Sequence, residues 1–367
     1  MKWGQKMNNK KPVIGVTAFK NVESPQPGFG VARCLREKGY SVIGLDDTPL
    51  TSAIFAPYLD SVYLVKSMSE ENIEEFIVDL KKIINETGME ILIPSYDREV
   101  YFFNKYQSKI EELGIKLLLP SSQSLKMAAK PFLSKLSEIG INVPETIRVS
   151  DEKDIEKVCE DIGFPLVCKG IIKDAYIANN VAEANAFFQK IREIWHGGEG
   201  SILFQQFILG ETITISGVAN KENDVVGRVI MKKLGIDSKG TTWSGMTYYS
   251  KEIDELCNKI IKHLRWVGPF ELEFIKDINS GRLFLFEINP RLPSWIYLSE
   301  IAGCNIPALI VDLIMEKGIR VKSDLKDGII FSRYSEEIFY TKEEFNNFKK
   351  SGKRLIPIFG IGGKKNE

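Results

Sequence analysis

Two hydrophobic periods exchange along the first third of this chain. Residues 12–18, PVIGVTA, form a short apolar run of the kind that buries a strand. GFGVARCLREKGY (28–40) follows with apolar residues at helical spacing, and SVIGLDD (41–47) returns to a strand, so the chain opens as a βαβ unit. The alternation continues with an amphipathic helix at 70–88, a strand at 89–97, a helix at 99–114 and a strand at 115–121, IKLLLPS. Strands that alternate with helices predict a parallel, doubly wound sheet over about residues 12–120.

The pattern changes at Ser121. Residues 121–140 read as one helix stopped at Gly140, with Pro144 just beyond. A strand at 146–149, a helix at 151–161, the strand FPLVCKG (164–170), a helix at 181–194 and the strand SILFQQFI (201–208) then make a small α+β lobe. TITISGVAN and DVVGRVIMKKLG flank KEN as a hairpin, and a helix at 250–264 leads to a second antiparallel pair, GPFELEFIKD and RLFLFEINP, joined by a turn at INSG. The chain has no internal repeat, and low complexity is confined to its tail, GGKKNE (362–367).

Composition narrows the function. The 367 residues exceed one ordinary domain, and 44% hydrophobic with 27% charged residues is a globular balance. Lys plus Arg equals Asp plus Glu at 49 each, so no net field draws the chain to nucleic acid or an anionic membrane. No signal-type segment or membrane-length apolar stretch is present, which predicts a cytoplasmic protein. The five scattered cysteines predict reduced, buried thiols, and with only His196 and His263 there is little material for a histidine metal site or triad. Gly28 and Gly30 lack the full dinucleotide fingerprint and read as turn glycines, and Asp46 and Asp47 at the next strand end do not change that.

The candidate chemistry lies in FLFEINPRLPSW (284–295). Glu287, Asn289 and Arg291 occupy alternate positions at the end of a buried run, and side chains two apart share a strand face. The preceding strand places Glu273 near Glu287 across the hairpin. Unpaired burial of these carboxylates would cost several kcal/mol. Two structures satisfy them: a Mg²⁺ ion, which prefers oxygen ligands, or an internal ion pair with Arg291.

The string GPFELEF…FLFEINPRLPSW followed by LSEIAGCNIPALIV resembles the ATP-grasp superfamily, in its carbamoyl-phosphate-synthase-like and amino acid ligase branch, over most of the chain. The resemblance implies an α/β and α+β fold: an N-terminal Rossmann-like parallel sheet domain followed by a two-lobed ATP-grasp fold. Applied to this chain, it gives a Rossmann-like preceding domain at 1–120, a linker helix and small lobe at 121–209, a large lobe with the metal site at 210–320, and a C-terminal extension at 321–367 packed on the core.

The resemblance also implies roles. Glu273, Glu287 and Asn289 match the metal positions and Arg291 the phosphate-contacting arginine. Lys130 and Lys169 match the lysines that meet the nucleotide phosphates, Lys169 and Arg291 being the catalytic pair. In FQQFILGET, Gln206 and Ile208 fall at the adenine contacts and Glu211 at the ribose carboxylate. Relatives carry a glycine-rich loop after Lys169, whereas this chain has GIIKDAYIANN, where Lys173 either supplies charge or is simply solvated. On the substrate side stand Lys232, Lys233, Trp243, Ser294 and Trp295. Adjacent lysines on a strand point oppositely, so one of Lys232 and Lys233 faces the acceptor pocket, and either tryptophan equally suits ordinary core packing.

The implied activity is that of an ATP-dependent ligase, with ATP and Mg²⁺ (or Mn²⁺), joining a small-molecule or peptide carboxylate to an amine through an acyl phosphate. A homodimer is an admissible assembly. Three other readings stay open: a graspetide-like peptide-modifying ligase, a carbamoyl-phosphate-synthase-like phosphorylating enzyme, and a non-catalytic ATP-binding regulator.

Overall fold

The computed structural model describes residues 11–20, 26–170, 175–194, 202–237, 240–318, 325–335, 337 and 339–355; Lys173, His196 and the tail 362–367 lie outside them. The expected βαβ opening is present. Strands β1 (Val13–Val16), β2 (Ser41–Asp46), β3 (Ser61–Leu64) and β4 (Met89–Ile93) pair in parallel in the order β3-β2-β1-β4. Helix α1 (Pro27–Glu37) starts on a proline, whose fixed φ suits the first helical position, and α2 (Ile73–Thr87) ends on left-handed Gly88.

Three expectations change here. The helix at 99–114 divides into α3 (Asp97–Lys105) and α4 (Gln107–Glu111) at Tyr106. IKLLLPS joins the sheet only through a bridge between Lys116 and Ile91, after which Leu117 and Leu119 enter one hydrophobic core and Leu118 the other. Its alternation is thus satisfied by two cores without a strand ladder. The helix at 121–140 is interrupted: α5 (Ser122–Ala128) ends at extended Ala129, and a 3₁₀ segment runs over Lys130–Ile139. Pro131 has no N–H to continue an α-helical ladder, so the chain breaks just before Lys130.

The second sheet is antiparallel. β5 (Thr146–Val149), β6 (Leu166–Lys169), β7 (Ala175–Ala178) and β8 (Ile202–Gln206) lie in the order β5-β8-β6-β7, covered by α6 (Ile155–Ile162) and α7 (Val181–Ile194). The third sheet contains β9 (Gly210–Ala219), β10 (Val225–Ile236), β11 (Thr242–Thr247), β12 (Gly268–Asp277), β13 (Leu283–Asn289) and β14 (Ile330–Ser332), in the order β13-β12-β9-β10-β11-β14. Both predicted hairpins, β9–β10 and β12–β13, are there. Helix α8 (Lys251–His263) precedes β12, and α9 (Tyr297–Ile301) and α10 (Ile306–Ile314) follow β13. After α11 (Lys342–Ser351), β15 (Lys353–Leu355) pairs antiparallel with β3, so the first sheet is parallel except at this edge.

The cores show how the layers depend on one another. Two extensive cores each combine residues of the first and third sheets, whereas the second sheet buries its own cluster around Val149, Cys168, Phe188 and Phe204. All five cysteines are buried thiols outside any disulfide. Among the described residues no helix is long and apolar enough to cross a membrane.

The approach of β12 to the first domain requires a glycine. Gly268 has φ +88, and a Cβ there would stand 2.7 Å from the Leu118 carbonyl oxygen. We expect Gly268→Ala to lower stability by about 2 kcal/mol or more, from left-handed strain and backbone overlap, measured as a shift of the urea midpoint.

Candidate functional site

The register of β12 and β13 builds the site. Glu273 lies directly opposite Glu287 and Glu271 opposite Asn289, so the four polar side chains share one sheet face. Between the partner pairs Glu273–Glu287 and Phe274–Leu285, the register slips by one residue, leaving Phe286 as the extra residue of a bulge. Leu285 stays in the core while Phe286 and Glu287 are both partly exposed.

Glu271 is the most enclosed carboxylate, with its side chain 4% exposed. Its Oε1 accepts from Thr214 Oγ1 at 3.1 Å and Trp295 Nε1 at 3.0 Å, and its Oε2 from Arg291 Nη1 at 2.7 Å and Asn289 Nδ2 at 3.1 Å. Arg291 also reaches Asp97 on α3 at 3.3 Å. Of the two alternatives, the internal ion pair of Arg291 therefore forms with Glu271 and Asp97 and not with Glu287. The strand ends at Asn289, and beyond Pro290 the arginine turns to Glu271 and the first domain. Burial by itself would push the Arg291 guanidinium down, but Asp97 and Glu271 hold it well above its ordinary value.

Glu287 instead pairs with Lys130, Nζ to Oε1 at 3.0 Å, with its side chain 26% exposed. Withdrawal from water alone pushes this carboxyl up; Lys130, Lys169 and Arg291 overcome that and hold it at about 2. Glu273 is different. Lys233 Nζ lies 2.6 Å from its Oε2, yet burial, with Glu271 and Glu287 nearby, leaves its pKa raised. Asn289 Nδ2 also donates to Glu273 Oε1 at 3.3 Å, and among the described residues its Oδ1 accepts no hydrogen bond.

Lys169, at the end of β6, places its ammonium 5.4 Å from the Phe286 ring centroid. Among the described residues it makes no ion pair, and burial, aided by Lys130, pushes it down to about 8 against the pull of Glu287. The break at Ala129 starts the next segment at Lys130 and so brings a second ammonium beside the same carboxylate. Gln206 is exposed at the end of β8. Its N–H donates to the Glu145 carbonyl at 2.8 Å, and Ile208 beyond it is half-buried. Glu211 pairs with Lys232, leaving Lys233 as the lysine directed to the buried carboxylates.

Trp295 is buried with its indole on Glu271, whereas Trp243 on β11 is 37% exposed. Ser294 Oγ accepts from Arg333 at 3.0 Å. The segment holding both residues rests on α1: a Cβ at Gly30 would stand 2.9 Å from an Ile296 methyl, so this glycine permits helix packing. Glu271 and Asp97 were not among the residues singled out from sequence, whereas Lys233 was one of the two lysines between which the strand alternation left the choice open. Glu271 carried a readable signal, since it stands two positions before Glu273 on the same strand face. Asp97, on a distant helix, carried none.

As a metal site, the donors are two carboxylates and one amide oxygen. Among the described residues no group of three or more His, Cys, Asp or Glu side chains stands ready to hold an ion. The oxygen chemistry suits a hard divalent cation and Asn289 Oδ1 remains open, but Glu273 and Glu287 are each paired with a lysine, Lys233 and Lys130, which an entering ion would have to displace.

Residues 130–294 match the ATP-grasp domain family. The chain is 26% identical over 198 residues to a D-alanine–D-alanine ligase of Pelotomaculum thermopropionicum, covering 48% of this chain and 62% of that protein. It is 22% identical over 232 residues to an N5-carboxyaminoimidazole ribonucleotide synthase of Staphylococcus aureus, covering 60% and 59%. The chain thus spans about three fifths of the length of these curated relatives. Its fold is similar to the crystal structure of a biotin carboxylase–β-γ-ATP complex from Campylobacter jejuni, with a TM-score of 0.67 at 15% identity over 88% of this chain and 74% of that one.

Two outcomes follow from the electrostatics. Glu271→Ala should destabilise the fold by about 3–5 kcal/mol in chemical denaturation, because it strips a buried guanidinium of its nearest carboxylate. Lys169 should act in the opposite sense. Its ammonium titrates near 8 when folded and near 10.5 when unfolded, so the unfolded chain holds more protons in that window. The stability of the native protein relative to Lys169→Met should therefore rise between those pH values, and at neutral pH the variant should be at least as stable, as paired urea titrations would reveal.

Proposed function

Taking the ATP-grasp domain carried by residues 130–294 as the premise, we propose that this chain is an ATP-dependent carboxylate–amine ligase. The observation that carries the proposal is Lys169, a half-buried ammonium without an ion pair among the described residues, close enough to Lys130 and Glu287 to feel both charges. A desolvated cation without a counter-ion is costly, and a phosphate oxygen is the kind of anion that would relieve it.

The charge balance supports a divalent cation entering with the nucleotide. Glu287 is matched by Lys130 and Glu273 by Lys233, and Glu271 and Asp97 share Arg291, so Lys169 is the one cation of this group left for a triphosphate, which is too little positive charge to balance it. Glu273, Glu287 and Asn289 would hold Mg²⁺ or Mn²⁺, which supplies charge neutralisation for the terminal phosphates.

The chain's own residues then have distinct tasks. Lys169 and Lys130 bind phosphate oxygens from two sides, Arg291 stabilises charge on the transferring phosphoryl group, and Gln206, Ile208 and Glu211 line the place for the nucleoside. A substrate carboxylate attacks the γ-phosphorus, releasing ADP and forming an acyl phosphate. An amine attacks the acyl carbon, phosphate leaves, and the nitrogen loses its proton as the amide forms. No protein nucleophile is required. The relatives' activities, joining D-alanine units and forming N5-carboxyaminoimidazole ribonucleotide, are consistent with such chemistry in outline.

Glu287→Gln tests this reading. Arg291 keeps Glu271 and Asp97 in this variant, so the fold should lose no more than about 1 kcal/mol. ATP- and Mg²⁺-dependent phosphate release, assayed with pairs of candidate acids and amines, should fall roughly 100-fold or more. Undiminished release would remove Glu287 from the machinery. Absence of any ATP·Mg²⁺-induced rise in melting temperature in the native protein would overturn the ligase proposal itself.

A further inference from the structure

Arg333 is a partly buried cation with no carboxylate partner among the described residues. It follows β14, and its backbone N–H donates to the Trp243 carbonyl at 2.9 Å. The guanidinium is fixed on neutral groups: Nε donates to the Thr242 carbonyl at 3.1 Å and Nη2 to Ser294 Oγ at 3.0 Å, and its central carbon lies 5.6 Å from the Phe331 ring centroid. Burial alone pushes its pKa down to about 10, with no acid opposing it. Arginines elsewhere in the same sheet are matched, Arg228 by Asp254 and Arg291 by Glu271.

Its place in the sheet connects it to the site. Glu273 pairs with Thr214, Thr214 with Met231, Lys233 with Gly245, and Gly245 with Phe331. Met231 and Lys233 are two apart, as are Phe331 and Arg333, so this register assigns Arg333 to the sheet face that bears Glu273 and Lys233. Gly245 keeps the centre of that face low, since a Cβ there would meet Met231 Sδ at 2.3 Å. The segment leaving β13 crosses toward the far edge, where Ser294 meets Arg333 while the next residue, Trp295, holds Glu271.

We propose that Arg333 binds a spectator carboxylate of a substrate, one that is not activated, at the end of the site away from the phosphates. The proposal rests on the ligase reading and narrows its substrates to an amino acid acceptor or an acyl donor with a second carboxylate. A guanidinium already fixed by two neutral acceptors presents its remaining N–H groups at little further entropic cost, and its fork suits a carboxylate better than an ammonium would. The reacting carboxylate belongs beside Lys169 and Arg291, on the other side of Trp295.

The test compares the native protein with Arg333→Met and Arg333→Lys, each with ATP and Mg²⁺, by thermal shift. The probes are the proteinogenic amino acids, succinate and glutarate, each set beside a matching carboxamide. At least one carboxylate should raise the native melting temperature while its amide does not; Arg333→Met should lose that response, and Arg333→Lys should recover part of it. A response to amino acids assigns the carboxylate to the acceptor, and one to the dicarboxylates assigns it to the donor. With a responding pair, the KM for that substrate should rise roughly 10- to 100-fold in Arg333→Met while the KM for ATP stays put. An equal carboxylate response in native protein and Arg333→Met, or no response to any probe in native protein, overturns the assignment. The ATP·Mg²⁺ shift separates the two levels: its persistence in both proteins isolates a failure to Arg333, and its absence from native protein removes the ligase reading.

Discussion

The centre of this molecule depends on one buried carboxylate being fully satisfied. Glu271 enters the core from β12 and accepts from Thr214 on β9, Asn289 on β13, and Arg291 and Trp295 on the segment beyond β13. A lone carboxylate there would be prohibitive, whereas four donors make it a junction that fixes three strands and the exit of the chain. Its consequences reach the cleft. Asn289 spends its amide hydrogens on Glu271 and Glu273, which leaves its oxygen for a ligand. Arg291, held at one end by Glu271, extends the junction to Asp97 and ties the large sheet to the first domain.

Around this rigid junction the cleft is electrostatically divided. The third sheet supplies acids whose charges are already answered, while β6 supplies Lys169, which makes no ion pair among the described residues. Because the second sheet has its own core, Lys169 is carried by a layer whose packing does not depend on the other two. Lys169 and the acidic floor thus sit on separately stabilised elements, and an anion beside Lys169 and Lys130 would meet cations carried by two different parts of the chain.

The first domain contributes support as much as chemistry. Its helix α1 packs closely at Gly30 against Ile296, Asn305 donates to the Cys34 carbonyl at 2.7 Å, and Lys38 pairs with Glu300. These contacts hold the segment that presents Arg291, Ser294 and Trp295. The glycines that superficially suggest a dinucleotide loop lie inside α1 and not in a turn: Gly30 permits this packing, while Gly28 lets the start of the helix approach the end of β1, since a Cβ on it would stand 2.2 Å from the Thr17 carbonyl oxygen.

Local periodicity by itself determined much of this protein: the βαβ opening, both hairpins of the large sheet, and the cross-strand pairing of Glu273 with Glu287. These are short-range consequences of side-chain alternation and turn chemistry, and the family resemblance of FLFEINPR added their candidate roles. Tertiary structure alone decided which charges meet. Arg291 turned from Glu287 to Glu271 and Asp97, Lys130 took Glu287, and Lys233 rather than its neighbour reached Glu273, because flexible charged side chains are placed by whichever distant element packs beside them. The same reason explains IKLLLPS, whose strand-like pattern was met by two cores on opposite sides, and Arg333, whose lack of a carboxylate partner among the described residues is visible only once β14 lies against Thr242 and Ser294.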